Sequence, residues 1–277
     1  SAASDVYKRQ GIHATLNGVA QINKPFVFSS EGIFKGELTP GTGAWTYLAY
    51  YPHGEQSLNG TSATIPFGNT RIQKGGTYNS LFDILIAPAQ TTANSAEGVD
   101  DSGERIRFNM QRLTSILDFD LTNSTSDPIR CVLLTAESDD FLSAKSLNFD
   151  LAQGEAAAPA LDTEERSKSI LINFDGGSAS AAAQLDAFFN VLPGNYNLNL
   201  DIITATKQMA SVKIDRTDKP FEAGVLYKKE VGTLTPSAIP APSLDWPDQD
   251  IDATHEITVG PDQSLTYPAA IDITVPG

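Results

Sequence analysis

The feature that most constrains this chain is an alternation of period two, repeated in segment after segment. In SILDFDLTN, Leu117, Phe119 and Leu121 alternate with Asp118 and Asp120. In SILINF the apolar set is Ile170, Ile172 and Phe174. In NYNLNLDI it is Tyr196, Leu198, Leu200 and Ile202, set against Asn197, Asn199 and Asp201. ASVKID places Val212 and Ile214 on one face, and AIDITV places Ile271, Ile273 and Val275. Successive side chains of a strand point to opposite faces, so the pattern predicts antiparallel sheets with one packed face and one wet face. Turn signals separate the runs at Asn59-Gly60, Gly75-Gly76, Gly176-Gly177 and Pro193-Gly194-Asn195. The expected fold class is all-β, made of β-sandwiches. Helix is expected in only two places. SASAAAQLDAFF (Ser178 to Phe189) suits three turns behind a serine cap, and NSLFDILI suits one or two.

A length of 277 residues suits either one large all-β domain or two domains of roughly 100–150 residues. The clearest composition break is TTANSAEGVDDSGE, Thr91 to Glu104, which is small, polar and acidic without an apolar period. It divides the chain into expected domains 1–103 and 104–277. LAQGEAAAPALDTEERSK reads as a long loop inside the second. The proline-rich TPSAIPAPSLDWPDQD reads as an extended connector, because proline cannot donate to a ladder. Beyond it HEITVGPDQSLTYPAAIDITVPG returns to a strand pattern. The first ten residues, SAASDVYKRQ, do not share the pattern of the residues after them. They read as a scar, a disordered arm, or a trypsin-like cleavage site at Lys8-Arg9.

With 40% hydrophobic and 19% charged residues the chain builds real cores. Its formal charge of −15 argues against nucleic acid or an anionic membrane as partner. No apolar run reaches the roughly 18 residues of a membrane span. Cys131 is the only cysteine, so no internal disulfide forms and no thiolate zinc cluster is available. Its setting in IRCVLLTA marks it as a small core residue.

Few motifs carry chemistry. YLAYYPHGE (Tyr47 to Glu55) ends in His53-Gly54-Glu55, an H-x-E that in a zinc deaminase precedes paired cysteines this chain lacks. Pro52 and Gly54 also oppose the helix a zinc protease needs, so His53 reads as a turn residue after a strand apolar on both faces. Asp245, Asp248, Asp250 and Asp252 in DWPDQDID offer carboxylates at alternate positions, a weak calcium candidate. The helix–loop–helix template fails there, with Ala253 in place of glycine and Val259 in place of the bidentate glutamate. Trp45, Trp246 and the tyrosines are candidates for stacking on sugars, although aromatic strand residues are more often core. Asn59-Gly60-Thr61 and Asn123-Ser124-Thr125 are glycosylation sequons by pattern. No G-x-S-x-G, Walker A or S-x-x-K occurs in a convincing setting.

Taken in order, several segments resemble the fimbrillins, the type V pilins of anaerobic gut and oral bacteria. They are WTYLAYYP (Trp45 to Pro52), YNSLFDILIAPAQT (Tyr78 to Thr91), RFNMQRLTSILDFDLTN (Arg107 to Asn123), FFNVLPGNYNLNLDI (Phe188 to Ile202) and FEAGVLYKKEVGTL (Phe221 to Leu234). The family's F-x-H pattern departs here, with Phe108-Asn109-Met110-Gln111-Arg112-Leu113 in its place. The resemblance implies two transthyretin-like β-sandwich domains in tandem, no catalytic centre and no cofactor. It implies a surface fimbrium attached to the outer membrane through a lipid anchor of the precursor, with other pilin subunits and an undefined surface ligand as partners. The lipobox cysteine is missing, which fits a mature or truncated chain. The resemblance further implies assembly by strand exchange: an N-terminal strand is removed proteolytically, and a neighbour's C-terminal segment fills the groove. On that expectation Arg9 is the maturation candidate. The donor lies within 255–277, with Ile257, Val259, Ile271, Ile273 and Val275 as its strand-exchange residues. The alternative function is a surface glycan-binding lipoprotein that does not polymerise.

Overall fold

The computed structural model describes residues 9–29, 33–137, 141–156, 160–161, 166–174, 184–206 and 208–238. The protein is all-β. Thirteen strands of four or more described residues form its frame: β1 (Arg9–Leu16), β2 (Val19–Phe28), β3 (Trp45–Tyr51), β4 (Ser62–Pro66), β5 (Thr70–Gln73), β6 (Ser115–Asn123), β7 (Ile129–Ala136), β8 (Ser146–Asp150), β9 (Ser169–Phe174), β10 (Gln184–Val191), β11 (Leu198–Thr204), β12 (Gln208–Ile214) and β13 (Leu226–Leu234). Contacts group the chain into two compact units that interleave in sequence. The first is Ser1–Pro66, Ser80–Leu113 and Ser146–Leu161; the second is Phe67–Asn79, Thr114–Lys145 and Asp162–Gly277. Position 103/104 falls inside the first unit. The acidic stretch before it is a tied loop. Asp101 accepts hydrogen bonds from the Ala93 and Asn94 amides and the Ser95 hydroxyl, and Asp100 accepts from Ser102 and Glu104.

In the first unit, one sheet runs Gln111–Arg112, Leu85–Ile86, β3, β1, β2, Phe34–Lys35, and a second runs Ala160–Leu161, β8, β4, Leu58–Asn59. One apolar cluster joins Ile12 and Ala14 of β1 to Trp45, Tyr47 and Ala49 of β3. Leu48 and Tyr50, on the opposite face of β3, are buried as well. The expectation that both faces of this strand are apolar and packed therefore holds.

The second unit is a sandwich. A three-stranded sheet has the order β10, β6, β13. A six-stranded sheet has the order Ser237–Ala238, β12, β11, β7, β9, β5. Their inward residues form one core, with Leu117, Phe119, Leu121 and Phe189 facing Val132, Leu134, Ile172 and Leu200. Phe119 and Phe189 meet edge to face, 5.8 Å between centroids. Burying each such side chain is worth roughly 1.5–3 kcal/mol. β7 is buried on both faces, which is why Cys131 lies inside it; desolvation pushes its pKa up to about 12, and the thiol is an inert core group.

Two expectations need correction. The Ser178–Phe189 helix is contradicted over its described part: Gln184–Val191 is a strand, paired antiparallel with β6 from Leu185↔Leu121 to Val191↔Ser115. Alternate core residues Leu185, Ala187 and Phe189 outweighed the helix propensity of the alanine run. The wet faces are also drier than alternation suggests. Asp201 is 2% exposed, with its carboxylate accepting from Ser211 Oγ at 2.5 Å and Asn199 Nδ2 at 2.8 Å. Local hydrogen bonds make that burial tolerable.

Candidate strand-exchange interface

β1 lies within its sheet, antiparallel to a neighbour on each side. It pairs with β2 from Arg9↔Val27 to Leu16↔Val19, and with β3 from Gly11↔Tyr50 to Leu16↔Trp45. Ile12, Ala14 and Leu16 face the apolar cluster, whereas Gly11 and His13 share the opposite face with Tyr50 and Leu48. Gly11 is required there by close approach: a Cβ would stand 1.9 Å from Cε1 of the Tyr50 ring. His13 is 4% exposed, its Nδ1 is buried with no hydrogen-bond partner, and desolvation lowers its pKa.

The start of β1 is held by a small polar knot. Tyr50 donates its hydroxyl to Asn23 Oδ1 at 2.5 Å, and Asn23 Nδ2 donates to the Gly54 carbonyl at 2.7 Å. His53 donates its backbone N–H to the Arg9 carbonyl at 2.9 Å, and its ring Nε2 lies 3.3 Å from the Asn23 carbonyl. The Ser57 N–H donates to the Gly54 carbonyl at 3.1 Å, closing the turn the sequence suggested after Pro52, and the His53–Arg9 bond ties that turn to the start of β1. Arg9 itself is the first residue of β1, half-buried, with its Nε out of solvent and no hydrogen-bond partner for that atom.

In the second unit, β10 and β13 are the edges of the three-stranded sheet. Polar side chains from β5 reach the β10 edge. Gln73 Nε2 donates to the Asp186 carbonyl at 2.7 Å, Phe188 N–H donates to Gln73 Oε1 at 3.0 Å, and Arg71 Nη1 donates to the Asn190 carbonyl at 2.7 Å. Arg71 also lies over the Phe67 ring, 4.4 Å from its centroid. Burial pulls its pKa down to about 9, so it remains a cation at neutral pH. β13 is exposed along most of its length, and Leu226 is 56% exposed. On β6 Asp118 is buried, which raises its pKa with the help of Asp186; Lys228 reaches both carboxylates, at 3.6 and 3.9 Å.

Ile257, Val259, Ile271, Ile273 and Val275, and the calcium candidates Asp245, Asp248, Asp250 and Asp252, lie outside the described residues, as does Trp246. Among the described residues no three His, Cys, Asp or Glu side chains gather as a metal site, and no helix is long and apolar enough to cross a membrane. Trp45 is 1% exposed and its indole N–H donates to the Ser95 carbonyl at 3.1 Å, so it presents no surface for stacking. Asn123 is engaged with Asp127 and Thr125, whereas Asn59 is exposed at a hairpin turn. Sequence reading missed Arg71 and Gln73. The only signal was their alternation with Ile72 before Gly75-Gly76, too short a run to declare a strand.

These sheets define an all-β class with a two-sheet sandwich in the second unit. No family profile and no curated protein matches the chain. Among solved structures, a candidate cell adhesion protein from Bacteroides uniformis is similar over 82% of this chain and 87% of its own, at 16% identity and a TM-score of 0.54. A second candidate cell adhesion protein, from Bacteroides ovatus, covers 83% of this chain and 85% of its own, at 15% identity and a TM-score of 0.49. The tip fimbrial protein Mfa3 from Porphyromonas gingivalis, with C-terminal truncation, covers 76% and 78% at 10% identity and a TM-score of 0.33. The chain thus shares its fold with the first of these proteins.

Proposed function

We propose that this protein is a structural subunit of a cell-surface fimbria, assembling with other pilin subunits by β-strand exchange and supporting adhesion. The tandem transthyretin-like arrangement and outer-membrane attachment through a precursor lipid anchor belong to the same reading, as does the absence of catalysis. The observation that carries it is the position of β1, an N-terminal strand inside a sheet with partners on both sides. Removing such a strand uncovers two facing rows of backbone donors and acceptors and a line of apolar side chains. An incoming strand satisfies both at once. The C-terminal segment suits that groove, because Ile271, Ile273 and Val275 repeat the alternation of Ile12, Ala14 and Leu16. The shared fold with a candidate adhesion protein supports the surface role.

Arg9 is the first residue of β1, so a cut after it removes residues 1–9 and leaves Gln10–Leu16 of the strand in the chain. Vacating the groove takes a further cut in the Asn17-Gly18 turn. The test is deletion of Ile257 onward, with fimbriae counted by electron microscopy of producing cells. Loss of polymers with the monomer still exported is the expected result. Polymers of normal length and number would overturn the donor role.

A further inference from the structure

We propose that the Phe67–Asn79 segment is a side-chain lock on the outer edge of β10, denying that edge to any added strand. β10 has one backbone neighbour, β6, with Asp186↔Asp120, Phe188↔Asp118 and Asn190↔Ile116 in register. On its other side three outward groups, the Asp186 carbonyl, the Phe188 N–H and the Asn190 carbonyl, bond to Gln73 and Arg71. These are alternate residues of β5, only 2% and 3% exposed; the Arg71 bond is buried and the two Gln73 bonds are part-buried. A primary amide copies a peptide group: toward β10 Gln73 accepts from one backbone N–H and donates to one carbonyl, as a partner strand would. Its second N–H is held by the Gly75 carbonyl at 2.6 Å. The segment continues along the same edge. A Cβ on Gly76 would stand 3.6 Å from the Asp186 nitrogen, Tyr78 bonds the Asn190 amide at 3.0–3.1 Å, and its ring meets Phe188 edge to face.

The opposite flank of the sandwich differs. There Ala210 and Val212 of β12 and Tyr227 and Val231 of β13 are only partly buried against the core. Exposed sheet edges invite pairing with other chains, and covering an edge is how folded proteins suppress it. The lock's purpose rests on the strand-exchange reading, since a chain that polymerises by adding strands must keep its other edges closed. Its existence does not depend on that reading.

The experiment uses the full chain, with hydrogen exchange read at the Phe188 amide. The probe is a synthetic peptide of residues 269–275, AAIDITV. In the unaltered protein Phe188 should exchange slowly and be indifferent to the peptide. In Gln73→Leu it should exchange at least about tenfold faster, a change of about 1.4 kcal/mol, and added peptide should slow it again in proportion to dose. Gln73→Glu, which keeps the acceptor for Phe188 but loses the donor to Asp186, serves if the leucine variant does not fold. It should show a smaller peptide-dependent slowing. Peptide protection of Phe188 in the unaltered protein would overturn the lock, as would no peptide effect in a folded variant. Normal polymers after deletion of the C-terminal segment would defeat the strand-exchange proposal and leave this result untouched.

Discussion

Two residues of β1 report most directly on how that strand is held. Gly11 leaves room for the Tyr50 ring, which is fully buried and bonded through its hydroxyl. Gly11→Ala should therefore overpack the pair and cost about 1–3 kcal/mol, measured as a lowered denaturation midpoint with an unchanged slope. His13 sits beside it with burial holding its pKa below the ordinary 6.5. The unfolded chain then takes up a proton first as pH falls, so the stability it contributes is complete above about pH 6.5 and drains away below it. Thermal melts from pH 8 to 5 should show a falling midpoint whose slope is reduced in His13→Gln. An identical slope in that variant would assign the effect to His53, whose pKa burial also lowers. Both residues look ordinary in sequence. What makes them matter is their neighbours across the sheet, Tyr50 and Leu48, which lie far along the chain.

Strands were readable where alternation was long. β6, β9 and β11 were expected from Leu117, Ile170 and Tyr196 onward, and all three formed, β11 beginning at Leu198. The four-residue strand β5 and the two-residue strands were not legible, because runs of two to four residues are too short to establish a period. β10 was misread as helix because the alanine run just before it in the sequence favours one, and only its neighbour β6 supplies a register for it. β13 was hidden in another way. It lies parallel to β6, from Leu226↔Ile116 to Leu234↔Asn123, a pairing no local pattern announces. Side-chain period tells which residues share a face, and it carries nothing about direction or neighbour.

At the scale of the molecule the units interleave, and that has a consequence for any truncation. A fragment starting at residue 104 keeps most of the second unit but loses Phe67–Asn79, and with it Gln73 and Arg71. Three backbone groups of β10 then lose their side-chain partners and meet water instead, at about 0.5–1.5 kcal/mol each. Such a fragment should melt well below the second-unit transition of the full chain, and a peptide of residues 67–79 added in trans should raise its midpoint. An equally stable fragment would show that the segment contributes little.

By itself the sequence determined that the protein is all-β, that Cys131 is a core residue, and that Tyr47 to Tyr51 form a strand packed on both faces ending in a turn. Those conclusions depend on the spacing of apolar and turn residues within short segments, and spacing is a local property. Only the tertiary structure decided that β1 sits between β2 and β3, that Gly11 must be glycine, and that Gln73 and Arg71 close the β10 edge. The last of these joins Arg71 to Asn190, 119 positions along the chain. Such pairings are selected by the burial and hydrogen bonding of the whole sheet, which no single segment encodes.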